Sequence, residues 1–109
     1  MNRILLICLG ILVASSVQAR GNAEKGKAKA AQVCAACHGP DGNKPSAPDQ
    51  PVLAGQYYDY LVRALGDYKN GRRNNPIMKG FAGQLSKQDI EDLAAWFASQ
   101  KTGPLHDQR

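Results

Sequence analysis

Cys34-Ala35-Ala36-Cys37-His38 decides how this chain is to be read. Two thiols three positions apart, with a histidine directly after the second, form the C-x-x-C-H pattern of covalent c-type haem attachment. The spacing follows from the chemistry. Each thiol adds to one vinyl group, so the two sulfurs must reach two neighbouring edges of a single porphyrin. The adjacent imidazole then lies under the iron as its proximal ligand. A chain built on this motif should also supply a sixth ligand and a small helical wrapper.

Three other readings of the same residues stand beside that one. A dithiol redox pair usually sits at a strand-to-helix turn in a βαβ pattern, which this chain lacks. Zinc needs a fourth ligand and usually a second cluster, and the other histidine, His106, lies in the tail. A disulfide across two residues is sterically strained.

Upstream of the motif, Met1-Asn2-Arg3 is followed by an apolar run from Ile4 to Val13 and by Ala14-Ser15-Ser16-Val17-Gln18-Ala19. A short basic start, an apolar centre and small residues before a cut describe a secretory signal peptide. Residues 1–19 are therefore expected to be removed and residues 20–109 to form one domain. The apolar run falls short of the roughly 20 residues of a membrane span, so no stable membrane insertion is expected. Cys8 lies in that run. Its early position and the bulky Ile7 before it argue against lipid modification. Export would leave only Cys34 and Cys37, and covalent haem would consume both. The expected location is the periplasm, since bacterial c-type haem is attached outside the cytoplasmic membrane.

A domain of roughly 90 residues builds a marginal core and often needs a staple. A covalently held haem can be that staple. The sequence has 14 Lys and Arg against 9 Asp and Glu, a net charge of +5. No nucleic-acid-binding motif accompanies the charge, so nucleic acid is not an expected partner. Lys25, Lys27 and Lys29 read as solvated lysines. Lys69, Arg72, Arg73 and Lys79 flank the expected haem loop and suit attraction of a redox partner with an acidic docking surface.

Apolar spacing predicts three helices. The first runs from Ala23 to about Cys34 behind Asn22 as N-cap, with Ala23, Gly26, Ala30 and Cys34 on one stripe. Glycine inside a helix costs about 1 kcal/mol against alanine, so Gly26 suggests a close helix crossing. Residues 39–55 form a loop, because prolines and glycines at that density block helix and strand alike. The second helix runs from Gln56 to about Asn70 on Tyr57, Leu61, Leu65 and Tyr68, and Gly71 stops it. Residues 72–84 read as loop again. The third helix starts at Ser86 as N-cap with Asp89 at N3 and a Leu85/Ile90 staple, and ends near Gln100 or Lys101. The tail, residues 105–109, reads as frayed. No segment alternates as a strand does, so the fold class is all-α.

The sixth ligand follows by elimination. Past the signal segment the one methionine is Met78, and a thioether is a soft, neutral ligand that suits low-spin haem iron. His106 and a vacant sixth position are the alternatives. With both axial positions filled, no substrate reaches the iron, and the chemistry left is transfer of one electron. An open position would instead permit gas binding or peroxide chemistry.

The chain resembles the class I cytochromes c, especially short bacterial ones and single halves of the tandem dihaem periplasmic cytochromes. The resemblance rests on Cys34-Ala35-Ala36-Cys37-His38-Gly39, Pro51-Val52-Leu53-Ala54-Gly55-Gln56, Asn75-Pro76-Ile77-Met78, and residues 85–90 and 93–97. It implies a small cytochrome c fold, three main helices and loops wrapped around one covalently attached haem c. It also implies thioethers on Cys34 and Cys37, His38 as proximal ligand and Met78 as distal ligand. Pro51 matches the proline whose carbonyl accepts the proximal imidazole N–H. Gly26 would cross the last helix near Trp96, and Tyr57, Leu53 and Ile77 would line the pocket. The expected function is a periplasmic one-electron carrier between respiratory redox partners, as a monomer and not an enzyme. A haem subunit of a larger periplasmic oxidoreductase, or an open-site haem enzyme or gas binder, are the competing expectations.

Overall fold

Asn22 begins the first helix, α1 (Ala23–Val33), by accepting the Lys25 backbone N–H at 3.0 Å on its side-chain oxygen. That satisfies one of the donors which a helix start leaves without partners. The chain belongs to a computed structural model that describes residues 9–11 and 20–106. Nearly all of the expected signal segment, residues 1–19, lies outside the described residues. So do the last three residues of the tail.

After α1 a single turn, α2 (Ala35–His38), carries the cysteine–histidine motif. Gly39, with φ at +85°, ends it in a conformation that a side chain would strain. Residues 39–57 follow as loop, and then α3 (Tyr58–Asn70) begins two residues later than Gln56. Gly71 stops α3 in the left-handed conformation, φ +81°, as the sequence leads one to expect. The final helix, α5 (Lys87–Ala98), begins with the reciprocal capping box. Asp89 N–H donates to Ser86 Oγ at 3.0 Å, and Ser86 N–H donates to Asp89 Oδ2 at 2.9 Å. The bond from the Ser86 backbone holds the Asp89 carboxyl below its ordinary value. α5 ends at Ala98 rather than Gln100, where Ser99 Oγ donates to the Trp96 carbonyl at 2.7 Å.

One expectation is corrected. Residues 72–84 are not all loop: Pro76–Ala82 form a helix, α4. Its start signals are strong. Asn75 accepts the Ile77 and Met78 backbone N–H groups, each at 3.1 Å, and Pro76 occupies the first turn, where its missing N–H costs nothing. Met78 therefore stands on a helix.

Among the described residues there is no strand, and the long helices α1, α3 and α5 make an all-α body. α1 lies directly on α5. A Cβ built at Gly26 would overlap the Asp92 carbonyl and come within 2.9 Å of Trp96 Cβ. The glycine is thus required by the crossing. Ala30, Leu93, Ala94 and Phe97 fill that contact, and Leu61, Leu85 and Ile90 extend the core toward α3. The Leu85/Ile90 pair expected as a helix staple is buried within it.

The described part of the tail is packed. Gly55 Cα approaches the His106 backbone so closely that a Cβ would come within 2.8 Å of its nitrogen. No helix of the described residues is long and apolar enough to cross a membrane.

Candidate functional site

The four groups singled out by sequence face one cavity of about 550 Å³, lined by Cys34, Cys37, His38 and Met78 among others. Three of them come from the α2 turn and its N-cap, and Met78 comes from α4. Cys34 sits between α1 and α2, with its backbone N–H on Ala30 O at 2.9 Å. The α2 turn then closes through His38 N–H to Cys34 O at 3.0 Å. Together the two bonds set both thiols and the imidazole on one turn.

His38 is buried at 6 % exposure. Its ring Nδ1 lies 2.9 Å from the Pro51 carbonyl oxygen. A carbonyl only accepts, so Nδ1 carries a proton, which in the neutral ring leaves the Nε2 lone pair as the one available to a metal. That is the tautomer a metal ligand needs, and the bond also fixes the ring's orientation. The loop that brings Pro51 here is tied back to the motif: Lys44 N–H donates to His38 O at 3.1 Å and Ser46 N–H to Cys37 O at 2.9 Å. Leu53 and Ala54 N–H both donate to Gly42 O. Trp96 Nε1 donates to the Pro40 carbonyl at 3.0 Å, and Gly55 N–H to Phe97 O at 2.9 Å. α5 thereby holds both ends of the loop.

Burial pushes the Cys34 thiol up to about 11, and the neighbouring Cys37 adds to the shift. The thiol therefore stays protonated at neutral pH. A dithiol redox pair needs the reverse, a thiol pushed down so that thiolate attacks. This weighs against the exchange reading. No cluster of three metal-ligating side chains stands among the described residues, so zinc has no donor set there.

The rest of the lining is mostly apolar. α3 contributes Tyr60, Leu61, Ala64, Leu65 and Tyr68. α4 and the turn before α5 contribute Ile77, Phe81, Ala82 and Leu85. Leu53 and Ile77 line the cavity as expected, and Tyr57 does not: it precedes α3 and is 60 % exposed. Tyr60 and Phe81 take part instead. Tyr60, Ala64 and Tyr68 recur at four-residue spacing, a lane beside the Leu61–Leu65 stripe that periodicity could have marked. His106 is not in the lining; its backbone packs against Gly55.

These residues fit a haem c. The volume lies within the roughly 300–1,000 Å³ of small-molecule sites. A well-packed interior does not hold a hollow of this size between helices, so the leucines around it need a large apolar partner to complete their packing. The donor set is a thioether, a neutral imidazole with free Nε2 and two thiols on one turn, which matches covalent haem with axial His and Met.

Residues 23–101 match the family model for cytochrome c. The cytochrome c4 of Pseudomonas aeruginosa is 50 % identical over 97 residues, which cover 89 % of this chain and 46 % of that protein. Cytochrome c-554(548) of Halomonas halodenitrificans is 40 % identical over 84 residues, covering 74 % of this chain and 99 % of that protein. The crystal structure of reduced recombinant cytochrome c4 from Pseudomonas stutzeri superposes with a TM-score of 0.68 at 48 % identity. It covers 74 % of this chain and 46 % of that one. The chain thus spans about half the length of the cytochrome c4 relatives it matches.

Proposed function

The chain belongs to the cytochrome c family, and from that premise we propose that it is a periplasmic one-electron carrier whose haem iron is closed by His38 and Met78. The observation that carries this reading is the meeting of Cys34, Cys37, His38 and Met78 on one cavity. Haem c, when bound, supplies a one-electron iron couple. The residues around it have separate tasks. The two cysteines hold the group by thioethers. Pro51 keeps the imidazole of His38 in the metal-binding tautomer and aims it. Asn75, by capping α4, fixes the backbone of Met78. With protein ligands on both sides, nothing remains for a substrate to bind, and the protein works as a carrier rather than an enzyme. Residues 1–19 act as the export signal and residues 20–109 as the carrier domain.

The first measurement is an optical spectrum of the matured, exported protein, oxidised and then reduced. The expected result is a weak far-red methionine-to-iron band in the ferric form and a sharp low-spin reduced spectrum. Carbon monoxide should bind the reduced protein slowly or not at all. A high-spin ferric spectrum with rapid carbon monoxide binding would sink the carrier reading in favour of an open site.

The cavity mouth suits docking of a redox partner. Ile77, Tyr60 and Phe81 line the cavity and remain 68 %, 47 % and 42 % exposed. Arg72 and Lys79 stand exposed nearby in sequence, and among the described residues Arg72 has only Asp67, at 3.9 Å, as an ion partner. Lys69 differs, because its ammonium donates to the Leu85 carbonyl. Long-range attraction by Arg72 and Lys79 favours a partner with an acidic surface. Charge reversal at both (R72E with K79E) should slow electron exchange with an acidic redox partner several-fold at low ionic strength. The difference should vanish near 1 M salt, where the Debye length is about 3 Å. Equal rates for parent and variant at low salt would remove these residues from the encounter.

A further inference from the structure

Gln50 stands directly before Pro51 and folds its side chain back over its own loop. Its Oε1 accepts three donors: Ser46 N–H at 2.9 Å, Ala47 N–H at 3.0 Å and the Ser46 hydroxyl at 2.8 Å. Backbone N–H groups only donate, so the carboxamide oxygen and not its nitrogen faces them. The Gln50 backbone N–H closes the same turn on Ala47 O at 3.1 Å. The Ser46 N–H is shared, because it also donates to Cys37 O at 2.9 Å, a three-centre bond. Through Ser46, one side chain thus links the carbonyl of the second haem-binding cysteine to the residue before Pro51.

The position of this knot gives it a consequence. Pro51 has no N–H, so no backbone donor of its own anchors the residue whose carbonyl meets His38 Nδ1 at 2.9 Å. Its neighbours must set its place. Downstream, Leu53 N–H and Ala54 N–H donate to Gly42 O at 2.8 and 3.2 Å. Upstream, the hold falls to Gln50, which is half-buried and lines the cavity.

We propose that Gln50 is a positioning residue for the proximal ligand: its side-chain oxygen locks residues 46–50 so that the Pro51 carbonyl stays on the His38 ring N–H. The inference rests on the haem c reading above. A carbonyl held on Nδ1–H makes the imidazole a more basic ligand. A more basic ligand favours the ferric state. Without the knot the Pro51 carbonyl samples longer distances, the ring becomes less basic and the reduction potential rises.

The test uses exported, haem-loaded protein and compares the parent with Q50L, Q50E and S46A. Leucine keeps most of the volume and removes the acceptor. Glutamate restores an acceptor at the same reach. S46A removes one of the three donors. In reduced Q50L, proton exchange at the His38 ring N–H, followed by NMR together with the Ser46 and Ala47 amides, should run at least about fivefold faster than in the parent. The ratio of reduced to oxidised Q50L at fixed applied potential should rise about threefold, which is ~28 mV for a one-electron couple. S46A should move both readouts in the same direction by less. Q50E should keep the parent's slow ring exchange; its added charge shifts the potential by itself, so exchange alone is read there. The far-red methionine band should persist in all four proteins, which separates the effect from loss of the distal ligand.

Q50L with faster Ser46 and Ala47 exchange but the parent's ring exchange and potential would overturn the proposal, since the knot would then order only its own loop. Q50E exchanging as fast as Q50L would overturn it as well. If Q50L does not mature, Q50E and S46A decide, and ring exchange equal to the parent's in S46A would count against the proposal. A parent without covalent haem would instead overturn the ligand reading, and this inference with it.

Discussion

Met78→Ala should abolish the far-red band, lower the reduction potential on the order of 100 mV within the ~0.8 V that axial ligands span, and admit carbon monoxide to the reduced iron. A thioether is soft and neutral, and it favours the ferrous state. Water in its place favours the ferric state. The substitution isolates this chemistry because α4 does not depend on the Met78 side chain. Its start is held by Asn75, which accepts the Ile77 and Met78 backbone N–H groups, and alanine is a better helix former than methionine. The side chain is only half-buried, so its loss leaves little strain. A melting temperature close to the parent's, together with the changed spectrum and potential, is the expected pattern. A variant that kept the parent's ferric spectrum and potential would mean that another group is the sixth ligand. His106 would not be an easy substitute, since it lies outside the cavity lining with its backbone against Gly55.

What could be read in the sequence was decided within a few residues. The Ser86–Asp89 box, the Asn22 cap and the Gly71 stop are all satisfied inside one turn of chain, so their residue types suffice to predict them. The thiols and His38 are similarly local, because a single turn brings all three together. α4 was missed for a related reason. Gly80 and Gly83 weigh against a helix, each at about 1 kcal/mol, whereas Asn75-Pro76 suits a turn as well as a helix start. Seven residues are too few for periodicity to outvote the glycines. The cavity wall was harder still. Tyr57 and Tyr60 are both tyrosines near the start of one helix, yet only Tyr60 lines the cavity. Which of them does so depends on where α3 begins and how it is rotated against α4 and α5. Those are tertiary facts. The place of Arg73 in the cavity lining was hidden in the same way. Sequence places it in a basic cluster, and only the fold separates it from Lys69, Arg72 and Lys79.

Gly26 shows how a local cost can report a distant contact, and it supports a prediction in which one substitution has opposite signs at two sites. Gly66→Ala should stabilise the protein. Gly66 lies within α3, and a Cβ built there meets nothing within 4 Å. Alanine gains helix propensity and restricts the unfolded chain, together about 0.5–1 kcal/mol. Gly26→Ala gains the same local preference in α1 but must add its methyl where the Asp92 carbonyl and Trp96 Cβ already stand. The obstructing atoms are backbone and a Cβ, which cannot rotate aside, so α1 has to move off α5. Overpacking of this kind costs about 1–3 kcal/mol or more. The displacement would also disturb the two ties that α5 makes to the proximal loop, Trp96 to Pro40 and Gly55 to Phe97. A net loss of about 2 kcal/mol should lower the melting temperature of a domain this size by roughly 8–16 °C. Thermal unfolding of both haem-loaded variants, followed by circular dichroism, checks the pair. If Gly26→Ala melted at or above the parent's temperature, the α1–α5 crossing would be looser than the structure places it.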